Sequence, residues 1–259
     1  MSDNKEGNSV TKKQESLPAN ILEQDASAGL QGLTNDDLAT PRLKILMNGS
    51  EELEVNEKLK PGQIYNTVTG EAFDGKEGII VVPCAYQRQY IEWEERGTGS
   101  GAPVNIYDVN SDILQKTTRN SKNKDELENG NYIETTVNHF VMLKDSKYKT
   151  ITPALITMKS TQLKKSRRWN SMMKTLRVEG SNGPFNPAMF SHEYKLTVTK
   201  EKNDQGTWYG WNVERVGPVS DLNIYKDAKE FAQSVKSGIV QAKPEMEEAS
   251  TNSGTKTPF

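Results

Sequence analysis

The sequence predicts a mainly β, α+β fold: an OB-like five-stranded barrel with a helix between its third and fourth strands, plus an N-terminal hairpin and a C-terminal helix. Three observations carry that expectation. Segments 78–95, 132–144 and 150–158 read as consecutive strands rich in β-branched and aromatic residues. An amphipathic helix follows within Met158–Val178. Two further strands, Phe190–Lys200 and Thr207–Val216, then form a hairpin around Asn203–Gly206. Strand, strand, strand, helix, strand, strand is the order of a partly open Greek-key barrel.

The chain opens with acidic, polar sequence. Residues 1–40 carry seven acids against three lysines, with few aromatics, so most of 1–37 is expected to be disordered and Ile21–Leu38 only weakly helical. Pro41–Leu46 alternates charge with aliphatic residues and reads as a first short strand. A hairpin follows, with Gln63–Thr67 and Glu71–Phe73 flanking a Val-Thr-Gly turn.

In the long strand Gly78–Glu95, Ile79–Val82 is a continuous apolar run, as expected where both faces are covered. Beyond Pro83 the two-residue period puts Tyr86, Arg88 and Tyr90 on one face and Ile91 and Trp93 on the other. Aromatic, cation, aromatic on an open face is a possible contact surface. Residues 97–131 read as a long polar loop.

The stretch Met158–Val178 carries Lys159, Lys164, Lys165, Arg167, Arg168, Lys174 and Arg177 without an acid. At 100° per residue Trp169, Met172, Met173 and Leu176 share a face, with Lys164, Arg167, Arg168, Lys174 and Arg177 roughly opposite. Ser160 is the expected N-cap, and the Gly-Ser-Asn-Gly-Pro run at 180–184 the stop. In the closing hairpin Tyr209, Trp211 and Val213 share a face, and core is favoured for Trp169 and Trp211. Asp221–Gly238 reads as the final helix, capped by Asp221 and ended at Gly238. The division is therefore an acidic segment 1–40, a domain 41–240, and a flexible tail 241–259 ending in Phe.

The 259 residues have a net charge of -2, which hides acidic ends around a mildly basic middle. One cysteine, Cys84, excludes an internal disulfide and suits a reducing compartment. The chain has neither a signal-peptide pattern nor an apolar run of membrane-spanning length, so a soluble, cytoplasmic protein is expected. Catalysis has little material. Two histidines, His139 and His192, with a lone Cys84 make no metal site of familiar spacing, and Gly97-x-Gly99-x-Gly101 lacks the third glycine and the helix of a dinucleotide loop. Cys84 is expected to be a buried thiol and His139 a satisfied strand residue. No enzyme activity, cofactor or metal is expected.

Nucleic-acid binding has better material, since lysine and arginine neutralise phosphate and exposed aromatics stack bases. The expected contacts are Tyr86, Arg88, Tyr90, Lys159, Lys164, Lys165, Arg167, Arg168, Lys174, Trp208 and Tyr209. A helix that plugs one end of a barrel serves first as an anchor of the fold. The Tyr86–Arg88–Tyr90 face is therefore expected to be the main contact and the helix a secondary phosphate track.

The segments PRLKIL, KPGQIYNTVTGE, IIVVPCAYQRQYIEW, MKSTQLKKSRRWNSMM and EKNDQGTWYGWNVE resemble a family of tailed-bacteriophage single-stranded DNA-binding proteins. The likeness spans about residues 40–240 and is most specific in KSTQLKKSRRWNS and GTWYGW. It implies an OB-like fold and a role in coating single strands during phage DNA replication, recombination and repair, in the host cytoplasm. The ending Thr257-Pro258-Phe259 after Glu245, Glu247 and Glu248 resembles the acidic, Phe-terminated tails of such proteins, which implies docking of Pro258 and Phe259 on replication partners. Lys256 departs from that pattern. The alternatives are a phage protein-interaction or virion-associated protein that uses the basic helix as a docking face, and a strand-annealing recombination protein.

Overall fold

The computed structural model describes residues 17–34, 37–95, 101–145, 150–203 and 206–244. The expected disorder of 1–37 falls partly on residues 1–16 and 35–36, and the tail with Pro258 and Phe259 on 245–259, all outside the described residues. The chain divides into two units, Met1–Leu38 and Ala39–Phe259. In the first, the helix foreseen over Ile21–Leu38 is the short α1 (Ala19–Gln24), started by Pro18, and every described residue is exposed.

The second unit begins with β1 (Leu43–Ile45), a turn of helix α2 (Glu52–Val55), β2 (Ile64–Asn66) and β3 (Ala72–Phe73), which form a three-stranded antiparallel sheet. The long strand β4 (Ile79–Trp93) follows, then β5 (Asn105–Asp108), β6 (Thr118–Arg119), β7 (Asp125–Glu126), β8 (Tyr132–Lys144) and β9 (Ile151–Lys159). After helix α3 (Leu163–Thr175) come a small hairpin of β10 (Val178–Gly180) and β11 (Gly183–Phe185), the long hairpin β12 (His192–Asn203) and β13 (Gly206–Pro218), and helix α4 (Leu222–Lys236).

The main sheet has eight strands, antiparallel throughout and curled into a half-barrel: β13-β12-β4-β8 run as neighbours, β8 also pairs with β9 and with β7, which leads on to β6, and β5 pairs with β4. That order and the position of α3 are consistent with an OB-like fold. Among the described residues no ladder joins β9 to β13. Instead β1 lies beside β9 through a parallel bridge from Arg42 to Leu155, and it also touches β13.

β4 serves both faces of the sheet by the alternation of its side chains, and it carries a bulge near its middle. Proline has no N–H for the ladder, and the register of β4 on β8 shifts between Pro83 and Ala85. Ile79 and Val81 enter the main core with Val137, Val141, Ile156, Leu196 and Trp211. Val82 and Cys84 face the other way, where α4 covers them with Ile224, Ala228 and Phe231. Asp221 caps α4 by accepting the Asn223 N–H at 2.8 Å, and Gly238, at φ +80°, adopts the left-handed turn that ends it. No described helix is long and apolar enough to cross a membrane.

The polar stretch 97–131 differs most from its sequence reading. From residue 101 it folds back on the sheet: β5 pairs with the end of β4, β7 with the start of β8, and Ile113 joins Tyr90 and Ile133 in a small core. One carboxylate organises it. Glu92, 4% exposed, accepts hydrogen bonds from Tyr107 (2.6 Å), Asn131 (2.6 Å) and Asn105 (3.2 Å). Burial alone raises its pKa, but those bonds outweigh burial and hold the carboxyl below the usual range. Glu92→Ala strands three donors at once. A loss of about 2 kcal/mol in urea unfolding is expected, with new protease cleavage within residues 101–131.

Candidate nucleic-acid interface

β9 runs to Lys159, and the chain turns at Ser160, whose φ of +50° starts a 3-10 turn over Ser160–Gln162 that leads into α3. Ser160 is therefore not the N-cap. That position falls to Gln162 with no side-chain cap, because the preceding turn already supplies helical geometry. The Gln162 amide does other work: its Oε1 accepts the Trp211 N–H at 2.9 Å and ties the start of the helix to β13. At the far end α3 stops at Thr175, and the run at 180–184 is the turn of the β10–β11 hairpin.

Ser166, Trp169 and Met173 form the buried face of α3. Trp169 is 0% exposed; it stacks on His139 at 4.4 Å and leans on Tyr194 at 5.9 Å. Tyr86 meets His139 edge-on at 5.2 Å. The imidazole Nε2 lies 2.8 Å from Ser166 Oγ, and burial pushes its pKa down to about 3, so the ring is neutral. Cys84 is also inert, as burial pushes its thiol up to about 12.

The opposite face of α3 is cationic. Lys164, Arg167, Arg168 and Lys174 are exposed and fall within an arc of about 120°. Among the described residues none of the four has a carboxylate partner. The other two expected helix-region cations do: Lys159 pairs with Glu134 at 3.1 Å and Lys165 with Glu201 at 2.6 Å. Arg177 instead donates to the Lys174 and Leu176 carbonyls at the helix end.

The strand face expected to lead is less accessible. Tyr86, Arg88 and Tyr90 do share one face of β4, but Tyr90 is 7% exposed inside the small core with Ile113, and Tyr86 is half-buried in the stack beneath α3. Arg88 stands half-buried between them. On the hairpin, Tyr209 packs against the main core, while Trp208 is half-buried and donates its indole N–H to Glu201 at 3.1 Å. The structure thus brings Lys165 and Trp208 together through Glu201, beside the open basic row, and sets Tyr90 apart. Glu201, Gln162 and Ser166 carry no signal in the sequence, being single polar residues whose partners are distant in the chain.

Among the described residues no group of three His, Cys, Asp or Glu side chains could hold a metal ion. A family model described as Pam3 phage gp34-like protein matches residues 11–241. No curated protein and no solved structure matches the chain.

The neutral His139 predicts a pH dependence. Above its ordinary pKa of 6.5 the folded and unfolded chains are both neutral at this site. Below 6.5 only the unfolded chain takes up the proton, so stability falls as pH drops from 6.5 toward about 3. The limiting slope is about 1.4 kcal/mol per pH unit. Urea unfolding at about pH 7.5 and about pH 5 should show a loss of roughly 2 kcal/mol. His139→Asn, less stable at the higher pH, should lose most of that difference.

Proposed function

This chain belongs to the Pam3 phage gp34-like family, and on that premise we propose that it is a non-catalytic protein that coats single-stranded DNA, with little sequence preference, in phage DNA replication and recombination. The curled half-barrel supports that reading as an OB-like barrel built on β4, β8, β9, β12 and β13, with no ladder between β9 and β13 among the described residues.

One observation carries this reading. Lys164, Arg167, Arg168 and Lys174 form an exposed row, without a carboxylate partner among the described residues, on a helix whose other face is locked in the core. In a chain of net charge -2, four cations left without carboxylates on one face suit a polyanion. Stacking is the smaller share, supplied by the half-buried rings of Tyr86, Trp208 and Tyr209.

Fluorescence anisotropy of labelled oligo-dT against salt tests it. Four phosphate contacts at about -0.7 each give a log–log slope near -2.8, with weaker binding to duplex of the same length. Binding that ignores salt, or that prefers duplex, would sink the proposal. The accessibility of the helix also sets a ranking. Arg167→Glu with Arg168→Glu should weaken binding about tenfold or more at low salt, and Tyr86→Leu about threefold or less. The opposite ranking would move the strand path onto β4.

A second reading, a protein-docking chain, is favoured by the exposed Leu17, Ile21, Leu22, Leu30 and Leu33 of the first unit. Capture of a protein partner that survives nuclease treatment and is lost on deleting residues 1–38 would support it.

A further inference from the structure

Lys165, Glu201 and Trp208 meet at one point, and the geometry there is that of an anion in a prepared seat. Glu201 stands directly opposite Trp208 in the β12–β13 ladder. Its two oxygens serve different elements: Oε1 pairs with Lys165 Nζ of α3 at 2.6 Å, and Oε2 accepts the Trp208 indole N–H at 3.1 Å. Gly210 keeps the seat open. A Cβ at that position would lie 2.8 Å from Gln162 Nε2 and 3.1 Å from Glu201 Oε1. The Lys165 and Glu201 side chains remain 29% and 26% exposed, so solvent reaches the junction.

The junction also adjoins the basic row. Lys165 precedes Arg168 by three residues on α3, which makes the two side chains neighbours one turn apart. A strand following Arg168 toward the hairpin meets Lys165 next. A phosphodiester presents one negative charge over two non-bridging oxygens, the same charge and two-acceptor fork that Glu201 offers to an ammonium and an indole N–H. An ion pair this exposed contributes little to stability, so exchanging one anion for another costs little.

We infer that the Lys165–Trp208 junction is a latent phosphodiester site, held in the free protein by the Glu201 carboxylate and taken over by the DNA backbone when a strand runs along α3. The inference deepens the single-strand reading and rests on it. Glu201 acts as a built-in competitor: it keeps Lys165 and the Trp208 indole in place, and it lowers affinity because it must turn out when the phosphate enters.

Oligo-dT anisotropy over a salt series tests the site with the full chain, Glu201→Gln, and Glu201→Gln combined with Lys165→Gln. In the wild type the displaced Glu201 carboxylate takes up a cation as the phosphate gives one up, so the exchange adds nothing to the slope. Freed of that carboxylate, Lys165 adds one phosphate contact. Glu201→Gln should therefore bind about fivefold tighter at low salt, with a slope steeper by about 0.7. Adding Lys165→Gln should return both values to those of the wild type. In the wild type, the Trp208 indole N–H resonance, identified with Trp208→Phe, should move as oligo-dT saturates the protein. Wild-type binding with Glu201→Gln unchanged or weaker overturns the inference and leaves the single-strand reading standing. So does a Trp208 resonance that stays fixed at saturation, which decides the matter even where a substitution disturbs the hairpin. Absence of binding by the wild type and every variant overturns the single-strand reading, and the inference with it.

Discussion

The burial of Trp169 is the constraint on which the arrangement of this protein depends. Its ring lies flat on His139 of β8 and against Tyr194 of β12, and Ser166 one turn earlier is held by the same imidazole. An aromatic ring of this size buries roughly 150–250 Å², so these contacts fix the rotation of α3 about its own axis. Once Trp169 and Met173 face inward, Lys164, Arg167, Arg168 and Lys174 face outward. The basic row follows from the core, and anchoring the fold and presenting charge are two consequences of one placement.

The open side of the half-barrel is managed by the same helix. With no ladder between β9 and β13 among the described residues, the Gln162 side chain takes one edge N–H of β13, and β1 lies against β9. These are side-chain and short-strand substitutes for a missing ladder. The β12–β13 hairpin shares the main core through Tyr194, Leu196, Trp211 and Val213, and its polar ties to the rest include Gln162, the Lys165–Glu201 and Lys144–Glu193 pairs and the short pairing of β12 with β4. A solvent-reachable ion pair is a weak joint. The hairpin and the helix are therefore coupled where a ligand along α3 can reach them.

The sequence showed which elements exist because side-chain type and backbone chemistry act locally. Tyr132–Lys144 forms the strand that its β-branched and aromatic residues predict, buried on both faces over most of its length, and Asp221 and Gly238 bound α4 as their backbone chemistry predicts. Alternation assigned Tyr86, Arg88 and Tyr90 to one face, but it does not say what covers that face. Residues 101–131 cover part of it, and they were illegible because polar groups hold them: Tyr107, Asn105 and Asn131 converge on a single buried carboxylate. Hydropathy reads such a segment as solvated. Ser160 failed for a related reason, since capping residues signal helix starts only where the chain enters the helix from extended backbone. Here it enters through a 3-10 turn.

The candidate site was half legible. Seven cations in one stretch are visible in the sequence, but which of them are neutralised depends on Glu134 and Glu201, which lie 25 and 36 positions away from Lys159 and Lys165 in the chain. That sorting matters more than the count. Paired lysines release no counterions to a polyanion, whereas unpaired ones do, so the electrostatic footprint on the proposed reading is the four-residue row rather than the whole basic stretch. The aromatic supply is limited in the same way. Tyr90 is committed to a core cluster, and Tyr86 and Tyr209 are packed along one side. On the proposed reading, a surface with such a row of cations and few fully open rings would hold a strand chiefly by its backbone. Backbone contacts carry no base information, so the tolerance of sequence in that proposal rests on how the fold commits its aromatics.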